Sequence, residues 1–435
     1  MNTCKKIDSG IEWIGDIPLN WSVFPAGGVF SEVKEKNTNI EYSNAFSFRY
    51  GEIVDKKTNG VVDERIDETL SAYRVVSPNT IMINGLNLNY DFITQRVAIV
   101  KEKGIITSAY LAVQPDEGRI VPKFALYLFK AYDAKQVFHG MGSGVRKTLK
   151  YSDFKHIRIV APSMDEQQRI VTYLDCKTQE IDGLIAEAKA SIEEYKAWKA
   201  SIIYEAVTKG LDPSVEMKDS GIEWIGEIPS DWKVCKTLYA LSMPITDGPH
   251  TTPELYDDGI PFVSAEAVSC GKGKIAFDHI RGYISEAFYN ECCLKYIPQK
   301  NDIYMIKSGA TTGRVSYVDT DIKFTIWSPL AVFRCNENRM YFKYLFYFLQ
   351  SDAYQKQVQL GWTYGTQQNI GMRTLETLKV CLPPIDVQQN IATHLDNKCE
   401  TIDGLIEEKE LLISDLEAYK KSLIFEVVTG KRKVV

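Results

Sequence analysis

The residues with which this chain could do catalytic or metal chemistry are five histidines, nine cysteines and scattered carboxylates, and their spacing argues against both. His139, His156, His250, His279 and His394 are far apart and make no metal-ligand spacing. The cysteines never form CxxC, and the neighbours Cys292 and Cys293 read as part of an ordinary strand or helix. That pattern predicts reduced thiols rather than a disulfide framework or a zinc site. GMGSG (Gly140 to Gly144) resembles a dinucleotide-binding glycine loop, but a helical stretch precedes it and the strand-like SDFKHIRIV follows. The fingerprint needs a strand before and a helix after, so a turn is expected. The prolines of LPPI lack the aromatic residue of an NPPY-type amino-methyltransferase motif. Asp212, Glu216 and Lys218 mimic a nuclease carboxylate–lysine set, yet they fall in a linker with no strand framework to aim them at a metal. No serine or cysteine nucleophile arrangement is visible either. The expectation is a chain that is not an enzyme and that holds no cofactor or metal.

Recognition chemistry is better represented. Ser143, Arg146 and Lys147 stand in the Gly-rich loop GMGSGVRKTL, and Gln367, Gln368 and Asn369 stand in a similar loop, GWTYGTQQNI. Asp247, His250 and Thr251 belong to the turn-rich ITDGPHTTP, and Lys307, Thr312 and Arg314 to a further glycine-bearing loop. Arginine and lysine suit guanine edges and phosphates, and glutamine and asparagine suit adenine edges. Taken singly, each could be a solvated loop side chain. As a set they are candidates for contact with DNA.

These loops are positioned by a duplicated frame. DSGIEWIG occurs at Asp8 to Gly15 and again at Asp219 to Gly226, within the longer match DSGIEWIGDIPLNW and DSGIEWIGEIPSDW. A second pair, PSMDEQQRIVTYLDCKTQEIDGLI from Pro162 and PPIDVQQNIATHLDNKCETIDGLI from Pro383, extends to SIIYEAVT (Ser201 to Thr208) and SLIFEVVT (Ser422 to Thr429). The two offsets, 211 and 221 residues, make the second intervening block ten residues longer. Solenoid repeats run at about 20–50 residues, so this is a duplicated half-molecule.

The long constant segments are predicted to be helices of roughly 60 Å at 1.5 Å per residue. Asp165 with Gln168, and Asp386 with Gln389, have capping-box spacing. An apolar seam follows at Ile181, Ile185, Ala188, Ile192, Tyr195, Trp198 and Ile202. Ile402, Ile406, Ile413, Leu416, Tyr419, Leu423 and Val427 repeat it in the second copy. A helix with one apolar stripe needs a partner, and antiparallel pairing of the two copies is the preferred arrangement. Gly210 and Gly430 suit C-terminal caps, whereas Gly183 and Gly404 suggest a local break or a close crossing. Residues 22–160 and 233–382 carry short β-branched and aromatic runs between turns, each followed by an aromatic helix and a Gly-rich loop. The class is therefore α+β. The whole chain carries −6, but these blocks carry +4 and +2, which leaves −12 on the remainder. A polyanion would be steered to the blocks. No apolar run approaches the roughly 18 residues of a membrane span, and MNTCKKIDSG does not look like a signal peptide, so a cytoplasmic protein is expected.

Over nearly its whole length the chain resembles the specificity subunits of type I restriction–modification systems. The carrying features are the two IEWIG segments, QQRI and QQNI after a proline, SIIYEAVTKG and SLIFEVVTG, ITDGPHTTP, and GIITSAYLAV at Gly104 to Val113. The resemblance implies two α/β target-recognition domains separated by two long helices that form an antiparallel coiled coil, with pseudo-two-fold symmetry. It places the first recognition domain at 1–160 with constant segment 8–21, a central helix at 161–210, the second domain at 211–382 with constant segment 219–232, and a C-terminal helix at 383–435. Each domain would read one half of a bipartite, asymmetric double-stranded DNA site, and the helices would set the spacer. Two modification (methyltransferase) subunits would dock on the helices and bring S-adenosylmethionine, and restriction subunits would join to translocate and cut. Val387 departs from the acidic residue usual before the glutamine pair, which copy one has as Glu166. Gly183 and Gly404 are also less typical. Two other classes compete: a helical scaffold whose variable blocks bind protein, and a single-chain DNA-modifying enzyme. The octapeptide itself is expected to anchor the start of each recognition domain near the helices.

Overall fold

The computed structural model describes residues 5–56, 70–90, 92, 95–142, 147–364 and 368–434. They form two compact units, Met1–Lys189 with Glu410–Val435, and Ala190–Lys409. The long helices run over Met164–Lys209 and Ile385–Val428. Each unit therefore takes its recognition block from one copy of the repeat and helical segments from both.

The core of the first unit is an antiparallel sheet in the order Phe30–Glu32, Leu111–Pro115, Ile81–Ile83, Val97–Ile99. Successive strand side chains point to opposite faces. Ile81 and Ile83 accordingly join one apolar cluster while Met82 joins another. The first cluster includes Phe124, Leu128, Phe129 and Tyr132 of the aromatic helix Pro122–Ala134, which starts on a proline as helices tolerate at their first position. The second unit repeats the plan with Thr246–Asp247, Leu330–Phe333, Ile303–Ile306 and Val315–Tyr317. Ile303 and Met305 pack with the aromatic helix Phe342–Gln350, and Tyr304 and Ile306 pack on the opposite face.

The constant segments explain how each helix is locked to its sheet. Gln167 is buried: its amide accepts from the Val121 N–H at 2.8 Å and donates to the Pro162 carbonyl at 3.0 Å. Gln388 accepts from the Tyr341 N–H at 2.7 Å and donates to the Pro383 carbonyl at 2.9 Å. About two turns on, Asp175 takes Lys123 at 2.6 Å and the Tyr127 hydroxyl at 2.8 Å, and Asp396 takes Lys343 and the Tyr347 hydroxyl. These contacts correct the capping-box expectation. The helices begin at Met164 and Ile385, so Asp165 and Asp386 lie inside the first turn. The first glutamine of each pair does the bracing, because only it faces inward.

The octapeptides are identical hairpin loops. Lys6–Asp8 pairs with Asp16–Pro18, and Met217–Asp219 with Glu227–Pro229. In both, the aspartate accepts from the glycine N–H two residues on at 2.9 Å. In both, the serine N–H also reaches the last glycine carbonyl, at 3.1 and 3.0 Å. Ile14, Ile17 and Trp21 pack with Leu423, Ile424 and Val427, and Ile225, Ile228 and Trp232 pack with Ile203, Ala206 and Val207. Each hairpin thus seats on the C-terminal end of a long helix, where Gly210 and Gly430 adopt φ of +78° and +69°. Glu166 adds a bond from the Trp21 indole at 3.1 Å; Val387 replaces it in the second copy and packs against the apolar cluster there.

Within the first unit Lys420 meets Asp182 at 2.6 Å, and in the second Lys199 meets Asp403 at 2.7 Å. The two lysines are equivalent in the repeat, as are the two aspartates. Numbering thus rises from Asp182 to Lys199 on one helix as it falls from Lys420 to Asp403 on the other, so the pairing is antiparallel. Such part-exposed ion pairs contribute at most about 1 kcal/mol, so the buried seam does most of the holding. That seam includes Ile181, Ile185, Ala188, Ile192, Ile402, Leu423 and Val427, but Trp198 and Tyr419 leave it and are 48% and 49% exposed. Gly183 and Gly404 lie in unbroken helix, and a β-carbon at either would meet nothing within 4 Å, so the expected break or close crossing is absent there.

Candidate nucleic-acid interface

In the second unit three separate loops converge at the end of the sheet. Asp247 ends the edge strand and is buried with its carboxylate under Lys295, with Lys307 Nζ and His250 Nε2 each 3.3 Å from Oδ2. Asp247 is therefore unavailable to a base edge, which corrects its place among the DNA contacts: it positions two lysines and a histidine. Gly248 is required beside it, since a β-carbon there would fall inside the Ile326 carbonyl. The DGPH run is thus a carboxylate nest on a backbone crossing. Thr251 follows it and is exposed.

The Lys307 loop is bonded in turn to the Gly-rich loop. Thr363–Tyr364 and Gln368–Asn369 form a small hairpin. Ile370 N–H donates to the Lys307 carbonyl at 2.9 Å and Gly309 N–H to the Gln368 carbonyl at 3.0 Å. Thr312 Oγ1 donates to the Gly309 carbonyl at 2.7 Å. The structure so gathers His250, Lys307, Thr312, Gln368 and Asn369, with both Gln368 and Asn369 exposed. Arg314 stays apart, donating to the Ser269 carbonyl at 3.3 Å. Gln367 lies outside the described residues.

In the first unit, Ser143 and Arg146 also lie outside the described residues, and Lys147 is exposed. The GMGSG segment begins as a turn: the 3-10 helix Val137–Gly140 leads into Gly142 at φ +88°. Lys147 N–H donates to Asn89 Oδ1 at 3.1 Å, and its carbonyl accepts from Leu88 N–H at 3.0 Å. Sequence reasoning passed over the Asn84–Tyr90 stretch because its residues are neutral, although Asn84–Gly85 is a turn dipeptide. Strand register was the signal that could have found it. Among the described residues no group of three or more His, Cys, Asp or Glu side chains could hold a metal ion. Among them, too, no helix is long and apolar enough to cross a membrane.

The family model described as the type I restriction modification DNA specificity domain matches residues 20–194 and again 250–412. The chain belongs to this family. The double match falls on the two halves of the repeat. Two proteins of Methanocaldococcus jannaschii are similar over nearly their full length. One, provisionally named the type I restriction enzyme MjaX specificity subunit, is 25% identical over 97% of this chain and 96% of its own length. The other, the type I restriction enzyme MjaVIII specificity subunit, is 23% identical over 96% and 94%. In fold, the chain is similar to one from a study of complex assembly and conformational transition of a type I restriction–modification system. That likeness has a TM-score of 0.71 and 15% identity and covers 96% of this chain and 99% of the other. The HsdS subunit of Thermoanaerobacter tengcongensis gives a TM-score of 0.51 at 15% identity over 96% and 98%.

Proposed function

We propose that this chain is the DNA-reading subunit of a type I restriction–modification complex and that each unit reads one half of a two-part, asymmetric double-stranded site. The observation that carries this reading is one sheet-and-loop frame built twice, ending in exposed loops of different chemistry. Phosphate contacts position such a protein and base-edge contacts specify. The net positive charge of the two recognition blocks suits the first task, and the amide and lysine side chains of the loops suit the second.

The long helices set the unread spacer and dock two modification subunits. Support comes from their duplicated surfaces: Trp198 and Tyr419 are equivalent in the repeat and equally exposed, as two like partners would require. The partners supply S-adenosylmethionine and the methyl transfer, and restriction subunits add translocation and cleavage. This chain contributes recognition and no catalysis, and it works in the cytoplasm.

A gel-shift titration tests the reading. With modification subunits present, the chain should retain duplex DNA, with affinity falling steeply as salt rises. Retention of a protein partner but no duplex would favour the scaffold alternative. Binding of S-adenosylmethionine by the isolated chain would favour the single-chain enzyme.

A further inference from the structure

Strand register supplies a correspondence between the two reading edges that the loop sequences hide. Asn84 N–H donates to the Arg96 carbonyl at 2.8 Å in the first sheet as Ile306 N–H donates to the Arg314 carbonyl at 2.9 Å in the second. The loop leaving Ile83 is therefore the counterpart of the loop carrying Lys307 and Thr312. Both are tied to their Gly-rich loops in the same way, by Leu149 N–H to the Gly85 carbonyl and Ile370 N–H to the Lys307 carbonyl, each at 2.9 Å.

Residues 84–90 read NGLNLNY and carry no charge. Asn87 is exposed at φ +52°, and Tyr90 is 69% exposed. Phe92, just beyond, is 59% exposed and stacks on His139 with ring centroids 5.6 Å apart. Exposed rings beside amide groups are the composition of a binding surface rather than of a solvated loop. The loop is also fixed from beneath. Arg96, buried, donates through Nη1 to the carbonyls of Asn84 at 2.9 Å and Leu86 at 3.0 Å, and its own N–H donates to Asp133 at 2.8 Å. The Asn89 carboxamide oxygen holds the Lys147 backbone from the side. Rigid support of an exposed polar loop is what precise recognition needs.

We propose that residues 84–90 are the base-reading loop of the first unit, with Asn87 reading an adenine edge and Tyr90 packing on an adjacent thymine methyl. Asparagine matches adenine N6 and N7 through a bidentate amide contact, and apolar surface matches the thymine methyl. A loop without charge selects A·T pairs where the second unit, with Lys307, presents a cation. The inference rests on the DNA-reading function proposed above.

The test uses the chain assembled with its modification subunits. Asn87→Gly removes the amide while glycine keeps the left-handed backbone, and Tyr90→Ala is made beside it. Affinity for a duplex carrying the wild-type site and the methylation motif in a host are both measured. Lys307→Ala identifies which half-site belongs to the second unit. Asn87→Gly is expected to weaken binding roughly 5- to 150-fold, the range for one bidentate base contact, and to relax one A·T position in the other half-site only. A wild-type motif and affinity for Asn87→Gly, or equal loss in both half-sites, would overturn the loop assignment while leaving DNA reading intact. A wild-type complex that leaves no two-part motif would instead overturn the functional reading beneath it.

Discussion

Position for position, the two sheets place different chemistry at the same points. Asp247 of the second unit, buried beneath Lys295, Lys307 and His250, follows Thr246, whose register equivalent in the first is Val33, and Lys307 has Gly85 as its equivalent. The contrast recurs at the opposite end of the strands. There Arg334 forks onto buried Asp302 with two contacts of 2.7 Å, whereas the first unit has a neutral pair, Thr80 Oγ1 donating to Gln114 Oε1 at 2.7 Å. What stays constant is the machinery that joins sheet to helix: Gln167 with Gln388, and Asp175 with Asp396. A duplicated reader can thus keep its frame and change what it reads, because the frame and the reading edge rest on separate sets of residues.

Four substitutions probe that division. Asp302→Ala leaves the Arg334 guanidinium without its partner and should cost about 3–5 kcal/mol, the usual penalty for breaking a buried ion pair. Chemical denaturation checks it, and the half-site read by the second unit should be lost first. Gln167→Ala and Gln388→Ala each strand a backbone N–H and should cost about 1–3 kcal/mol. Their effects should match within error; a large inequality would show that the frame is not equally shared. Thr80→Val removes only neutral hydrogen bonds, to Gln114 and from the Ser77 N–H, and should cost about 1 kcal/mol for each, well below Asp302→Ala.

Much of this arrangement was legible in the sequence. The duplication, the two long helices and the sheet-forming blocks follow from repeat offsets and apolar periodicity. Periodicity could not see which seam residues leave the interface: Trp198 and Tyr419 fit the apolar spacing yet point outward, and Lys199 and Lys420 beside them make the ion pairs instead. Local spacing also favoured Asp165 as a cap, when the decisive contact, Gln167 with Val121, spans 46 residues. Among candidate contacts, loop composition picked out Lys307, Gln368 and Asn369, which the fold brings together. It could not tell that Asp247 turns inward, because burial depends on Lys295, 48 residues away. Nor could it match Gly85 with Lys307, since that equivalence is fixed by strand register.

The most direct measurement is the methylome of a host in which this chain is the sole specificity subunit. Two unlike half-sites separated by a fixed, unread spacer are expected, because one frame carries two different reading edges. A palindromic motif, a single contiguous motif or no methylation attributable to the chain would contradict the account.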